Sequence, residues 1–331
     1  MTEPTWKGFG EWLSRARRKI HPADLFWLTP PGVMSIMAGF SIDRLLVDRK
    51  SGADGAHASE PPTLDGFDPE LAVVFADLFR YVGQRYFRLE LRGLENVPKE
   101  GPALLIGNHN GGPLPLDSAF TVLGVYDHQG PARIVNALAH DGLFHHPTLR
   151  RYVNRLGLLP AGHRSAELAL SAGRLVLLYP GSDWDAMRPF SERHKVVLHG
   201  RKGFLRVALK NRAPIVPVVS VGTHEQFVVL TRGDKLAHRL GLHRLMRLDS
   251  VPIALSVPWG VAPAFLPYLP LPAQTTIEYG PPIYFSEYGP EHANDDAVLS
   301  HCYQIVESTM QSMLDRLSAG RVPLLGKLRV R

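Results

Sequence analysis

His109 and Asp117 stand at the two ends of a loop of small residues, within the run Gly-Pro-Ala-Leu-Leu-Ile-Gly-Asn-His-Asn-Gly-Gly-Pro-Leu-Pro-Leu-Asp at positions 101–117. An imidazole hydrogen-bonded to a carboxylate has its tautomer fixed, and its other ring nitrogen can then accept a proton. The Gly-Gly-Pro-Leu-Pro segment can turn tightly enough to return Asp117 to His109. The alternative is a loop histidine that only caps or fills. The flanking Asn108 and Asn110, the Gly111–Gly112 pair and the following acid weigh against it. Such a dyad needs a nucleophile, and the chain has no Gly-x-Ser-x-Gly elbow. Its one cysteine, Cys302, falls on the apolar face of a helical stretch. A substrate hydroxyl is therefore the nucleophile the dyad could serve.

Positioning these groups takes a strand before the loop and a helix after it. The apolar run Ala103 to Ile106 reads as a short buried strand, so His109 lies just past its carboxyl end, where α/β sheets collect their chemistry. Asp117 can cap a helix starting at Ser118. Upstream, Phe67 to Tyr86 has helical periodicity with Asp68-Pro69 at its start, and Phe87 to Leu91 alternates like a half-exposed strand. Downstream, helices and strands alternate. Strands are expected at 133–138, 174–179, 214–221 and, as an edge strand, 275–279. Helices are expected at 165–172, 203–210 and 295–317. The fold class expected is α/β: a central mixed, mostly parallel sheet flanked by helices, with an N-terminal amphipathic helical segment. That segment, residues 1–46, carries Trp6, Phe9, Trp12, Leu13, Ala16 and Ile20 at helical spacing beside Lys and Arg. It could lie on a lipid surface or dock on the domain. Residues 47–66 read as a linker, 67–320 as the main domain and 321–331 as a basic tail. The stretch 256–272 has five prolines from Pro258 to Pro272, which excludes a regular helix and suits either a packed loop or one that meets lipid.

Composition narrows the function. Of the 331 residues 45% are hydrophobic, and 37 Lys and Arg stand against 31 Asp and Glu for a formal charge of +6. That mild excess fits an anionic surface or substrate. It does not fit nucleic acid, since there is no dense basic run with interleaved aromatics. A single cysteine excludes an internal disulfide and suits a reducing compartment. Charged residues interrupt the N-terminus where a secretory core would be, and the longest apolar candidate, Leu25 to Phe40, is broken by Pro30 and Pro31. His140, Asp141, His145 and His146 match no known metal-ligand spacing, so no metal is expected. His224-Glu225 reads as an ordinary loop pair.

Five blocks in order carry a resemblance: Gly93-Leu94-Glu95-Asn96-Val97-Pro98; Asn108-His109 with Asp117; Leu158-Leu159-Pro160-Ala161; Tyr179-Pro180-Gly181-Ser182; and Ile215-Val216-Pro217-Val218. Over roughly residues 87 to 285 the chain resembles the glycerolipid/lysophospholipid acyltransferase family, typified by 1-acylglycerol-3-phosphate acyltransferases. The resemblance implies acyl transfer from an acyl thioester to a lipid hydroxyl. His109 would be the general base and Asp117 would orient it. Asn108, Asn110, Gly111, Gly112, Arg164, Pro180, Gly181, Ser182 and Arg188 would bind substrate, the loop N–H groups from Asn110 to Gly112 serving the thioester oxyanion. It implies no cofactor, with acyl-CoA or acyl carrier protein as co-substrate. The partner expected is a membrane lipid surface, with the protein peripheral on its cytoplasmic face.

Two departures qualify that carry-over. Seven residues separate His109 from Asp117 where the family usually has four, an expansion that resembles a subgroup including diacylglycerol acyltransferase-like members. The third block lacks the family's Glu, and Asp183 and Asp185 stand where a cation is expected. A neutral or larger lipid acceptor is therefore expected over glycerol phosphate. The alternatives are a lipid ester or thioester hydrolase using the same dyad on water, and a lipid-binding protein with a disabled site.

Overall fold

The computed structural model describes residues 6–20, 63–145, 147–234, 239, 251–264, 266 and 268–327. Its strands are β1 (Glu90–Arg92), β2 (Ala103–Gly107), β3 (Val135–Ala139), β4 (Leu159–Pro160), β5 (Leu175–Leu178), β6 (Ile215–Val221), β7 (Val228–Thr231), β8 (Ile253–Ser256), β9 (Gly260–Pro263), β10 (Thr276–Tyr279), β11 (Arg321–Val322) and β12 (Gly326–Lys327). Seven form one sheet in the order β1-β10-β6-β2-β5-β3-β4. Every neighbouring pair in it is parallel except β10 with β6.

The sheet lies at the centre because its middle strands are apolar on both faces. All five residues of β2 and all seven of β6 are buried. Successive side chains point to opposite faces. Leu104, Ile106, Val176, Ile215 and Val219 thus join one core, and Leu105, Leu175, Leu177, Val216 and Val218 join the other. Such two-sided burial is what a parallel sheet under two helical layers requires.

The helices are α1 (Trp6–Lys19), α2 (Pro69–Arg85), α3 (Leu116–Gln129), α4 (Gly142–His145), α5 (Pro147–Arg155), α6 (His163–Ser171), α7 (Ser182–Ala186), α8 (Gly203–Asn211), α9 (Thr223–Gln226) and α10 (Asp296–Ser318). Residues of α6, α8 and α10 fill the first core, and residues of α2 and α3 the second. The Asp68 carboxylate caps α2 by accepting from the N–H groups of Glu70 and Leu71 at 3.0 Å each. α1 lays Ala16 and Ile20 on Leu71 and Val74, and its Trp12 indole donates to the Val74 carbonyl at 2.9 Å. Among the described residues no helix is long and apolar enough to cross a membrane. The stretch from Leu25 to Phe40 and most of the 47–66 segment lie outside the described residues.

Three local expectations are corrected. β10 is not an edge strand: it lies between β1 and β6 with Ile277 and Tyr279 fully buried. Its alternation resembles an edge because position in a sheet is set by partners distant in sequence. The strand expected from Phe87 starts at Glu90, because Arg88 takes a left-handed φ of 45° and breaks the extension. Asp117 is not a helix cap. α3 begins at Leu116, two residues earlier than expected, and the carboxylate is used elsewhere. Two further elements had no local signal. β7, β8 and β9 form a small antiparallel sheet, and residues 321–327 fold as the β11–β12 hairpin where the sequence suggested the start of a tail.

Candidate active site

The site grows from the end of β2. A Cβ on Gly107 would run into the Tyr179 ring, so a glycine here lets that ring lie 4.7 Å from the imidazole of His109. Asn108 is buried and behaves like one more rung between β2 and β6. Its Oδ1 accepts from the Ser220 N–H at 2.8 Å, and its amide donates to the Ser220 carbonyl at 3.1 Å. Asn110 also turns inward and donates to the Ser220 hydroxyl at 2.7 Å. Between these two anchored amides the side chain of His109 points outward, about one-fifth exposed.

Asp117 closes the dyad. Its Oδ2 meets His109 Nδ1 at 2.8 Å and accepts from the Asn110 N–H at 2.8 Å, while Oδ1 accepts from the Ser118 N–H at 2.7 Å. The carboxylate is wholly buried and is compensated by these hydrogen bonds. Nδ1 is then the protonated nitrogen of the neutral imidazole, and Nε2 is the basic one. The seven intervening residues fit because Gly111 and Gly112 take left-handed φ values of 93° and 76°. A Cβ on Gly112 would enter the Phe227 ring. Tyr268, from the proline-rich stretch, locks the loop: its hydroxyl donates to the Gly111 carbonyl at 3.0 Å and accepts from the Leu114 N–H at 3.2 Å. Burial pushes the Tyr268 phenol well up, so it stays a neutral donor.

Of the loop N–H groups expected to receive an oxyanion, two are already engaged: Asn110 donates to Asp117, and Gly112 donates to the Ala186 carbonyl at 3.2 Å. Of these three, the Gly111 N–H is the one with no acceptor among the described residues.

The third block works from beneath the loop. Pro180 and Gly181 are buried and Ser182 takes a φ of 53°, making a tight turn into α7. A Cβ on Gly181 would strike the Val197 carbonyl and Asp185. The turn brings Asp185, fully buried, under the loop, where its Oδ2 accepts from the His109 N–H at 2.6 Å. Burial pushes the Asp185 carboxyl up to about 7, against the pull of the Arg188 guanidinium and the His109 N–H, which favour the carboxylate.

Arg188 is 3% exposed and lies 2.6 Å from Asp185 Oδ1. Its Nη2 donates to Asn110 Oδ1 at 3.1 Å and to His224 Nε2 at 2.7 Å, and its Nη1 donates to the Lys195 carbonyl. Burial and the Arg188 charge hold His224 well below the usual histidine range, so it is a neutral acceptor and not the ordinary loop residue expected. Arg188 thus braces the loop from inside, with both terminal nitrogens committed. Arg164 is exposed in the first turn of α6, the helix that follows edge strand β4 in the chain, and is not part of this network. The structure therefore brings Asn108, His109, Asn110, Gly111, Gly112, Asp117 and Arg188 together over the Pro180–Ser182 turn. It adds Asp185, Ser220, His224 and Tyr268. Among the described residues no cluster of three or more metal-ligating side chains occurs.

The arrangement is an imidazole braced at Nδ1, with Nε2 as its basic nitrogen, and Cys302 is buried in α10. The diacylglycerol acyltransferase family profile matches residues 74–291, which hold both this loop and the third block. An uncharacterized protein of Mycobacterium tuberculosis (strain ATCC 25618 / H37Rv) is 32% identical over 257 residues, covering 77% of this chain and 69% of its own. The human 2-acylglycerol O-acyltransferase 3 is 36% identical over 89 residues, 26% of each chain. The crystal structure of the 1-acyl-sn-glycerophosphate acyltransferase PlsC from Thermotoga maritima superposes with a TM-score of 0.48 at 15% identity, over 86% of this chain and 95% of that one. With its loop, third block and central strands all inside the matched span, this chain belongs to the diacylglycerol acyltransferase family.

Proposed function

We propose that the protein transfers an acyl chain from an acyl thioester, acyl-CoA or acyl carrier protein, to the hydroxyl of an uncharged glycerolipid. One observation carries this reading: the 2.8 Å contact between His109 Nδ1 and the buried Asp117 carboxylate, at the end of a strand. Nε2 of His109 takes the acceptor's hydroxyl proton as its oxygen forms a bond to the thioester carbonyl carbon. The tetrahedral intermediate collapses, the carbon–sulfur bond breaks, and the imidazolium returns the proton to the departing sulfur. Asp117, held at Nδ1, stabilises the imidazolium. Assistance of this kind contributes roughly 10²–10⁴ in rate. The Gly111 N–H is the loop donor for the oxyanion.

Commitment of Arg188 to four partners inside the protein supports an acceptor without a phosphate, such as a mono- or diacylglycerol. The loop expansion supports the same subgroup. A membrane lipid surface is the partner. Leu255, Val257, Trp259 and Val261 are exposed on the β8–β9 hairpin, in the small sheet next to the Tyr268 lock. The protein acts there peripherally, at the cytoplasmic face.

The test is product analysis by mass spectrometry. The full chain is given acyl-CoA or acyl carrier protein with monoacylglycerol, diacylglycerol or lysophosphatidate. The expected result is acylated neutral glycerolipid and free thiol, both lost in His109→Ala. Thiol release that needs no acceptor would assign a hydrolase. Lipid binding without turnover would assign a disabled site.

A further inference from the structure

Asp185 has no part in the proton transfer just described, yet it is the second buried carboxylate at His109. It meets a different part of the residue from Asp117. Asp117 holds the ring at Nδ1, whereas Asp185 holds the peptide of the same residue, accepting its N–H at 2.6 Å. A reacting side chain fixed only through its ring can still swing about its backbone; fixed at both ring and peptide, it cannot. We propose that Asp185 is a positioning residue for His109, and that Arg188 aligns it and favours its charged form while clamping the neighbouring Asn110. The proposal rests on the reading of His109 as the base.

Three features argue for a built device over an incidental contact. The turn that delivers Asp185 tolerates no side chain at Gly181. Arg188 spans its acid and two residues from other elements, Asn110 in the loop and His224 on α9. The pair is sealed from water, Asp185 fully and Arg188 nearly so, which is costly unless geometry is gained. The charged and titratable groups facing Asp185 are Arg188 on the chain after α7, His109 in the loop and Asp117 on α3, with His224 reached through Arg188. An imidazolium forming at His109 is therefore stabilised by Asp185 as well as by Asp117, and a neutral residue at 185 makes that imidazolium harder to form.

Steady-state kinetics across pH on the full chain test this, with acyl-CoA and the best neutral acceptor, and with rates taken per folded molecule. Asp185→Asn keeps an acceptor oxygen for the His109 N–H and removes the charge. It is expected to lower kcat by roughly tenfold, leave KM for the thioester unchanged and move the acidic limb of the kcat profile to lower pH. Asp185→Ala removes the acceptor as well and is expected to lower kcat by roughly 10²-fold, the cost of a misplaced catalytic group. If both variants keep the parent kcat and acidic limb while His109→Ala is dead, Asp185 is structural filling and the proposal is overturned. If His109→Ala is as active as the parent, it is the reading of His109 that fails. Should Asp185→Asn not fold, Asp185→Glu retains the charge but pushes the carboxylate against the His109 peptide. A fall in kcat at constant KM then supports the role, and an unchanged kcat overturns it.

Discussion

Two buried ion pairs meet on the short helix α9 and stand in opposite relations to the chemistry. Its His224 touches Arg188, the partner of Asp185, at 2.7 Å. Its Glu225 is forked by Arg321, Nε to Oε1 at 3.0 Å and Nη2 to Oε2 at 3.1 Å. Both pairs are almost wholly hidden, with side-chain exposures of 3% and 0% for Arg188 and Asp185 and of 2% and 3% for Arg321 and Glu225. Both therefore carry a desolvation cost of the same kind. The first pair reaches forward to the peptide of His109. The second reaches back: Glu225 also accepts from the Leu324 N–H at 2.6 Å, which fastens the β11–β12 hairpin to the body of the domain. Buried charge here thus serves two purposes, holding the His109 loop and anchoring the β11–β12 hairpin, and the two should fail in different ways.

The sharpest contrast is on the side of the proposed base. His109→Ala should lower kcat/KM by about 10³–10⁴-fold, and Asp117→Asn by about 10²–10⁴-fold. Each should leave the unfolding midpoint close to that of the parent for His109, whose ring is part-exposed, and somewhat lower for the buried Asp117. Steady-state kinetics beside thermal unfolding separates the two effects. An active His109→Ala would remove the distinction between the networks altogether.

On the anchoring side, Arg321→Met strands Glu225 as a buried charge without its partner. Breaking such a pair costs about 3–5 kcal/mol, so unfolding in urea should shift by that order while kcat per folded molecule stays within about twofold. A drop in kcat matching that of the Asp185 variants would show that α9 transmits the anchor to the loop, and the two pairs would have to be treated as one network.

Gly112→Ala probes the loop itself. The residue takes a φ of 76° and a Cβ would enter the Phe227 ring, so the change should cost about 1–3 kcal/mol and displace the His109–Asp117 turn. Activity should fall by about tenfold or more. A stable and fully active variant would mean that the loop can relax without moving the dyad.

These networks differ as much in legibility as in role. His109 and Asp117 can be paired from sequence because a loop of turn-forming residues joins them and an apolar run precedes them. β2, β5 and β6 are equally plain, being continuous apolar runs of strand length. Asp185 is 76 positions from His109, and Arg321 is 96 from Glu225; nothing local to either residue announces its partner. Asp185 could be noticed as an acid where a related block has a cation, yet only the turn at Gly181 shows which backbone N–H it meets. Arg321 follows a glycine near the chain's end and reads as part of a tail, because pairing with a distant glutamate leaves no periodic trace. β10 alternates like an edge strand although β1 covers it. Tyr268 sits among prolines that exclude a helix but do not say what its hydroxyl will hold.

A third carboxylate, far less buried, gives the smallest effect and sets the scale for the other two. Asp68 caps α2 and receives Arg155 at 2.8 Å and Lys19 of α1 at 3.4 Å. Burial works against its charge, but Arg155, the Leu71 N–H and Lys19 outweigh that and hold it at about 2, below its ordinary 3.8. The folded protein then binds fewer protons here than the unfolded chain. The stability Asp68 contributes is present above about pH 4 and is lost as pH falls toward 2. Asp185 has the opposite sign. Raised from 3.8 to about 7, it takes up a proton on folding, so its contribution declines as pH rises between those values. Asp68→Ala should cost about 1 kcal/mol near neutral pH, mostly through the lost helix cap, and leave kcat unchanged. Urea unfolding measured from pH 3 to 8 should show its deficit shrinking at the acid end. In Asp185→Asn the decline through the higher window should flatten instead. If the two variants bend the stability curve in the same direction, burial does not govern Asp185, and its carboxyl is held by Arg188 in the same way that Asp68 is held by Arg155.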